Sequence, residues 1–194
     1  MTTLQNETLA SLLAELKITE YQPTEAIDKL AATESKYLKD LKINVLNSLK
    51  YDNLSKKESY LLALSTAINE KHNILKNVFE SLAISEGAIE NEIAEIISCV
   101  SLLNINNVFY RFRHFTKKEY YEQTPAGIKM GIMMNPVLGK EFFELVSLAI
   151  SALNGCEMCV NAHEESILKA GGSQPRIYDA VRLVAIIKGF SVVF

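Results

Sequence analysis

Residues 140–170 read KEFFELVSLAISALNGCEMCVNAHEESILKA, and this stretch indicates the fold class most clearly. Its first half places apolar side chains three and four residues apart, which is the spacing of an amphipathic helix. Asn154-Gly155 interrupts that pattern, and Gly171-Gly172 ends the helical segment that follows. The stretch therefore predicts two helices separated by a short break, with a pair of cysteines immediately after the break.

The rest of the chain has the same helical character. Only four prolines and eight glycines occur in 194 residues, and good helix formers dominate. No segment shows a sustained alternation of apolar and polar residues, which would indicate strands. We therefore predict an all-α fold of about eight to ten helices with little or no sheet.

Helix-breaking residues predict how the helices are divided. Pro23 separates a short N-terminal helix from a long one, while a further helix is expected to open at Pro125 and to close at Asn135-Pro136. No linker or low-complexity segment divides the chain. We therefore predict one helical domain over residues 1–194, in which residues 1–22 form an N-terminal extension helix.

A weak internal repeat supports a helical bundle built from two similar halves. A shift of 84 residues places LLALSTA (61–67) on LVSLAIS (145–151) and Gly87 on Gly171. We predict a non-catalytic half-repeat over residues 38–111 and a catalytic half-repeat over residues 124–194. The positions of Glu144, Cys156, Cys159 and His163 are then occupied in the first half by Tyr60, His72, Leu75 and Phe79.

Composition argues against several classes of function. The formal net charge is -3 and the charges are mixed, which favours neither nucleic acid nor an anionic membrane as a partner. The N-terminus has no basic region of a signal peptide, and the runs LVSLAISAL and LVAIIKGFSVVF are too short to span a bilayer. We expect a soluble cytoplasmic protein. In that compartment a CxxC pair is typically catalytic or metal-binding, because structural disulfides are rare.

The cysteines are predicted to lie at a helix N-terminus. Asn154 is a suitable N-cap, which places Cys156 in the first turn and Cys159 one turn later. Free N–H groups and the helix dipole favour negative charge there, so the pKa of a thiol falls. Residues i and i+3 of a helix also lie at roughly disulfide distance, about 5 to 6 Å between Cα atoms. The pair can then form and break a disulfide with little backbone movement.

A histidine and a glutamate complete the predicted site. His163 lies four residues beyond Cys159, hence on the same helix face, and can exchange a proton with a thiol near neutral pH. If the two helices fold back antiparallel, Glu144 falls within about one turn of His163. Its carboxylate can then orient the imidazole.

Other interpretations of these residues remain open at this point. Cys156, Cys159, His163 and Glu144 also make four possible zinc ligands, although structural zinc more often takes paired ligands from separate segments. The two cysteines can equally be inert core residues. A thioredoxin fold is disfavoured because its CxxC motif needs a βαβ context. Cys99 lies in an apolar run, which favours a buried position without chemistry.

The combination of Glu144, Cys-x-x-Cys and His163 resembles the signature of the alkylhydroperoxidase AhpD family. That family belongs to the carboxymuconolactone decarboxylase-like superfamily, which is all-helical and often shows a remote half-repeat. The resemblance extends from about residue 38 onward. It includes NNVFYR (106–111), MNP (134–136), FEL (143–145) and AHE (162–164).

The resemblance implies a peroxidase that holds no haem, flavin or metal and uses a redox-active disulfide. Cys159 would be the peroxidatic thiol, Cys156 the resolving thiol, and Glu144 and His163 a proton relay. The substrates implied are organic hydroperoxides, in antioxidant defence. Reduction would come from dihydrolipoamide on an acyltransferase, supplied by lipoamide dehydrogenase and ultimately NADH.

Further partners and a departure also follow from the resemblance. Family members pass electrons to the peroxiredoxin AhpC and form homo-oligomers, commonly trimers. Some members carry a histidine where this chain has Met158, so peroxidase activity is expected to be weaker here. The alternatives are a general dithiol-disulfide oxidoreductase serving a peroxiredoxin or lipoyl partner, a decarboxylase-like enzyme, and a non-enzymatic zinc-binding helical oligomer.

Overall fold

The computed structural model describes residues 6–19 and 24–194, and every regular element within these ranges is helical. The α-helices, in chain order, are α1 (Glu7–Glu15), α2 (Glu25–Ala32), α3 (Lys36–Ser48), α4 (Lys56–Asn69), α5 (Asn73–Ser85), α6 (Glu90–Thr116), α7 (Glu119–Gln123), α8 (Lys140–Leu153), α9 (Glu157–Lys169) and α10 (Gln174–Val193). A 3-10 turn spans Gly131–Met133. The predicted all-α class is confirmed.

The helices repeat along the chain with the spacing that the sequence predicts. A shift of 84 residues carries both ends of α4 onto those of α8, both ends of α5 onto those of α9, and the start of α6 onto that of α10. The turns repeat as well. Lys71 and Gly155 both have a positive φ, and so do Gly87 and Gly171. The internal pseudo-repeat is therefore a property of the backbone, which builds the same helical hairpin twice.

Helix α8 lies at the centre of the molecule. Every residue from Phe142 to Ser151 is buried, so this helix is enclosed on all sides rather than along one stripe. It contacts α9, α6, α10 and α4, which all contribute to one hydrophobic core. The buried segment includes Glu144, so a carboxylate lies within the core.

Two predicted helices differ in the structure. No helix opens at Pro125: residues 124–130 are irregular, since Gly127 takes a positive φ and the chain forms only the 3-10 turn beyond it. The long helix predicted after Pro23 is two helices, α2 and α3, because Glu34 adopts a left-handed conformation between them. Pro23 itself lies outside the described residues. So do residues 1–5 and 20–22 of the predicted extension helix, of which α1 is the described helical part.

Among the described residues, α6 is the one helix whose length and composition would allow it to cross a membrane. Nearly half of its most apolar window, 44%, is buried within the protein. It packs against α8, α4 and α9, so it is a core helix of the bundle, and the long core helix of a soluble protein meets the same criterion.

Arg176 connects the start of α10 to α4 and α8. Its guanidinium donates to the carboxylates of Glu58 and Glu141, and to the carbonyl oxygen of Asn53 at 2.7 Å. Burial alone would raise the pKa of Glu58, but the hydrogen bonds from Arg176 and Ser55 outweigh burial and lower it. The cation therefore holds three parts of the bundle in register.

We predict that Arg176→Met lowers the free energy of unfolding by about 2 kcal/mol, because it leaves two largely buried carboxylates without their partner. Urea denaturation measures the loss. The matched control is Lys29→Met, which breaks the exposed ion pair with Glu25 and is expected to change stability by less than about 0.5 kcal/mol. Equal losses in the two variants would contradict the structural role of Arg176.

Candidate active site

The two cysteines lie where the chain turns from α8 into α9. Gly155 makes the turn with a positive φ of 68°. Cys156 follows as the N-cap residue of α9, and Cys159 lies in the first turn of that helix. The prediction of a CxxC at a helix N-terminus is confirmed, but Cys156 is the N-cap and Cys159 lies in the first turn, so both are nearer the start of the helix than predicted. An N-terminus with free N–H groups stabilises a thiolate, so this position favours reactive sulfur.

Asn154 does not cap α9, so that prediction is wrong. It is the C-terminal cap of α8, and its side chain holds the turn from outside. Its amide oxygen accepts from Asn69 at 3.2 Å, and its amide nitrogen donates to Asn107 at 2.9 Å. Arg111 donates to its backbone carbonyl, and Asn107 also donates to Ser151 at 2.9 Å. The cysteine turn is thus fixed by polar groups of α4 and α6.

Cys156 and Cys159 are joined as a disulfide, with Cα atoms 5.3 Å apart. This separation agrees with the predicted disulfide distance for residues i and i+3. Both residues are almost fully enclosed, with exposed fractions of 1% for Cys156 and 7% for Cys159. Any reagent must therefore reach the sulfur atoms through a defined opening.

Such an opening lies over Cys159. It is a pocket of about 270 Å³ between α6, α9 and the irregular segment before α8. Its wall is largely apolar, and its lining residues are Asn106, Tyr110, Met130, Met133, Met158, Cys159, Ala162 and His163. Cys156 is not among them. The two sulfur atoms are therefore inequivalent, because only that of Cys159 belongs to a residue facing the pocket.

His163 pairs with a buried carboxylate. Its Nδ1 lies 2.6 Å from Oε2 of Glu144, which confirms the predicted approach of these two residues. Lys140 Nζ lies 2.6 Å from the other carboxylate oxygen. Burial would raise the pKa of Glu144, but the hydrogen bonds and charges of His163 and Lys140 outweigh burial and lower it. Glu144 is therefore an anion that fixes the orientation of the imidazole.

Several residues of this site, among them Lys140, Asn106 and Tyr110, were not predicted to belong to it. Lys140 precedes Glu144 by four residues, the spacing of an intrahelical ion pair, so its contribution could have been predicted. Asn106 and Tyr110 come from α6, far away along the chain. They are too far from the cysteines along the chain for helical spacing to relate the two.

Other candidate residues lie around the site. His114 Nε2 lies 3.6 Å from Glu157 at the start of α9, so the end of α6 does approach the cysteine turn. Cys99 is fully buried, and burial raises its pKa to about 12, which agrees with a core role. Over residues 6–19 and 24–194, no three His, Cys, Asp or Glu side chains converge in a way that would hold a metal ion.

The sequence of this chain is similar to those of known proteins. Residues 120–194 match the model of the carboxymuconolactone decarboxylase family. The chain is 36% identical over 160 residues to "Alkyl hydroperoxide reductase AhpD" of Coxiella burnetii (strain RSA 493 / Nine Mile phase I), covering 81% of this chain and 90% of that protein. It is 32% identical over 168 residues to the AhpD of Anaeromyxobacter dehalogenans (strain 2CP-C), covering 86% and 89%. It is 34% identical over 167 residues to that of Beijerinckia indica, covering 86% and 92%.

We predict that Glu144→Gln lowers the free energy of unfolding at neutral pH and that this difference from wild type disappears in acid. The pKa of Glu144 is lower in the folded than in the unfolded chain, so its contribution is complete above the unfolded pKa and is lost as pH falls through the folded pKa. Urea denaturation at pH 7 and about pH 3 measures the difference between variant and wild type. The control is Glu165→Gln, in which the paired carboxylate is exposed. If the difference in free energy of unfolding between this control and wild type also became smaller in acid to a comparable extent, the result would argue against a specific role of Glu144.

Proposed function

Because this chain belongs to the AhpD family, we propose that it is a thiol-dependent peroxidase that reduces organic hydroperoxides through Cys156 and Cys159. One observation carries the proposal: Cys159 faces an apolar pocket beside His163 and is bonded to Cys156 behind it. This arrangement gives one sulfur access to a substrate and the other access to the first sulfur. The cycle would serve antioxidant defence in the cytoplasm, where thiol pools are kept reduced.

In the first step the thiolate of Cys159 attacks the terminal oxygen of the hydroperoxide R–O–O–H. The S–O bond forms while the O–O bond breaks, so the sulfur becomes a sulfenic acid and the alkoxide R–O⁻ leaves. The alkoxide takes a proton and becomes an alcohol. The largely apolar wall suits an alkyl or aryl group R, because its burial removes apolar surface from water.

Cys156 resolves the sulfenic acid. Its thiolate attacks the sulfur of Cys159, the S–O bond breaks, and the oxygen leaves as water once it is protonated. The Cα separation of 5.3 Å already suits a disulfide, so the helix need not rearrange between the two states. The burial of Cys156 keeps the resolving thiol from competing reagents.

His163 and Glu144 are proposed as the proton relay. His163 lines the pocket beside Cys159, so its free ring nitrogen is placed to take the proton of the thiol and return it to the leaving alkoxide. Glu144 holds the opposite ring nitrogen and stabilises the imidazolium that forms in between. Lys140 balances the carboxylate charge when the imidazole is neutral.

Reduction of the disulfide is proposed to come from a dihydrolipoyl group. The dihydrolipoyl group is a slender dithiol. It suits a pocket of about 270 Å³ that is lined by Cys159 but not by Cys156. Its thiolate would attack the sulfur of Cys159 and release the thiolate of Cys156, and closure of the lipoyl ring would free both cysteines. The proposed partners are a dihydrolipoyl-bearing acyltransferase with lipoamide dehydrogenase and NADH, and a peroxiredoxin of the AhpC type.

A second candidate function is a general dithiol-disulfide oxidoreductase. Met158 favours it, because this side chain lines the pocket and supplies no proton-transfer group between the two cysteines. Peroxide would then react slowly while disulfide exchange with a lipoyl or peroxiredoxin partner remains fast. The relative rates of the two reactions distinguish these functions.

We also propose that the protein is a homo-oligomer, with a trimer as the expected state. Helix α6 has an exposed apolar stripe whose members recur at helical spacing. They are Ile97, Ile105, Val108, Phe112 and Phe115. A continuous apolar face of this kind marks a surface that another molecule covers.

We predict that the reduced protein loses two thiols, and about two daltons of mass, in a single turnover with cumene hydroperoxide. Thiol counting and intact mass spectrometry follow the reaction. Cys159→Ser is expected to abolish it, while the control Cys99→Ser leaves it unchanged because the Cys99 thiol is buried and protonated. Unchanged thiols in the wild type would reject the peroxidase, and rapid oxidation by lipoamide alone would favour the second function.

We predict that Val108→Glu dissociates the oligomer, because it places a charge within the apolar stripe of α6. Light scattering is expected to show a multiple of 21.7 kDa for wild type and a smaller mass for the variant. Ile43→Glu, at an equally exposed position on α3, is the control and is expected to keep the wild-type mass. A monomeric wild type at micromolar concentration would overturn the oligomer.

A further inference from the structure

Asn106 is a buried amide with an unused acceptor. Only 5% of the residue is exposed, and its side-chain oxygen Oδ1 has no hydrogen-bond partner among residues 6–19 and 24–194. Its amide nitrogen donates to Met130 Sδ at 3.2 Å, so the oxygen is the end of the amide left without a bond. Both residues line the pocket over Cys159.

An unsatisfied buried carbonyl is unfavourable for folding. Leaving such a group without a partner costs about 1–3 kcal/mol, and an apolar side chain of similar shape would avoid this cost. A polar group kept in such a state beside a reactive sulfur is explained if a ligand supplies the missing bond. The lone acceptor defines the ligand's chemistry, because its partner must carry an N–H or O–H donor.

The oxygen is itself shielded from solvent, so a ligand reaches it only when a neighbouring side chain moves. Met130 is suited to this movement. It lies on the irregular segment between α7 and α8, and methionine is unbranched with three rotatable bonds. Displacement of its thioether, which makes only a weak bond to the amide nitrogen, would free the amide to turn its oxygen toward the pocket that Cys159 also lines.

We propose that Asn106 binds the hydroperoxide by accepting the O–H hydrogen bond of its terminal oxygen. This inference rests on the proposed peroxidase function and adds a substrate-positioning residue to it. The terminal oxygen is the atom that the thiolate attacks, so the amide orients the O–O bond toward the sulfur. After the O–O bond breaks, the same oxygen belongs to the sulfenic acid Cys159–S–O–H, whose hydroxyl can keep the bond to Asn106 until Cys156 displaces it.

The test compares two reactions of the same thiol. Asn106→Leu, which removes the acceptor at similar volume, is expected to lower the second-order rate constant for cumene hydroperoxide about tenfold or more. Alkylation of Cys159 by iodoacetamide at the same pH needs the thiolate and an open pocket but no acceptor, and is expected to stay within about twofold. The melting temperature is expected to stay equal or rise, since the unsatisfied carbonyl is gone.

Asn91→Leu is the matched control, because it makes the same change at an exposed position on the same helix and outside this pocket. Asn106→Ala is a second variant with the same expectation should the leucine not fit. A hydroperoxide rate in both Asn106 variants equal to wild type would overturn the positioning role and leave the peroxidase intact. Equal losses in both reactions would also overturn it, as a general disturbance of the site. A wild type that does not react with hydroperoxide would instead reject the function on which the inference rests.

Discussion

The site depends on one buried carboxylate. An ionised glutamate inside a core is strongly unfavourable unless it is paired and hydrogen-bonded. Here the two oxygen atoms of Glu144 are shared between Lys140, on its own helix, and His163, on the next one. The pairing joins α8 to α9 at a defined level and fixes the imidazole beside Cys159. The interaction that stabilises the buried charge is therefore the same one that orients the imidazole that we propose for proton transfer.

The two halves of the chain share a backbone but differ in their side chains at the positions of the candidate site. Both contain the same helical hairpin, and both reach the second helix through a left-handed residue, Lys71 in one and Gly155 in the other. His72 then caps α5 where Cys156 caps α9. Leu75 and Phe79, which stand in place of Cys159 and His163, are fully buried. The same hairpin therefore forms with an apolar interior in one copy, and the polar and sulfur-containing side chains that we propose as reactive lie in the other copy.

Local spacing explains what could be predicted from the sequence. Helix type, the 84-residue repeat and the meeting of Glu144 with His163 all follow from helical periodicity and from counting residues on either side of one turn. The role of Asn154 could not be predicted, since its partners Asn69 and Asn107 lie on other helices. It could not be predicted either that the side-chain oxygen of Asn106 lacks a hydrogen-bond partner in the described part of the chain. For Pro125, a real helix-start signal was overridden by the glycine that follows two residues later.

We propose that Cys159, and not Cys156, is the sulfur that attacks the peroxide. This proposal is tested most directly in Cys156→Ser, which cannot resolve the intermediate, by treating the reduced variant with cumene hydroperoxide and dimedone and locating the adduct by peptide mass spectrometry. The structure predicts a sulfenic acid adduct on Cys159 and none on the buried Cys99. Absence of an adduct on Cys159, together with an adduct on Cys156 in the reciprocal Cys159→Ser variant, would contradict the account.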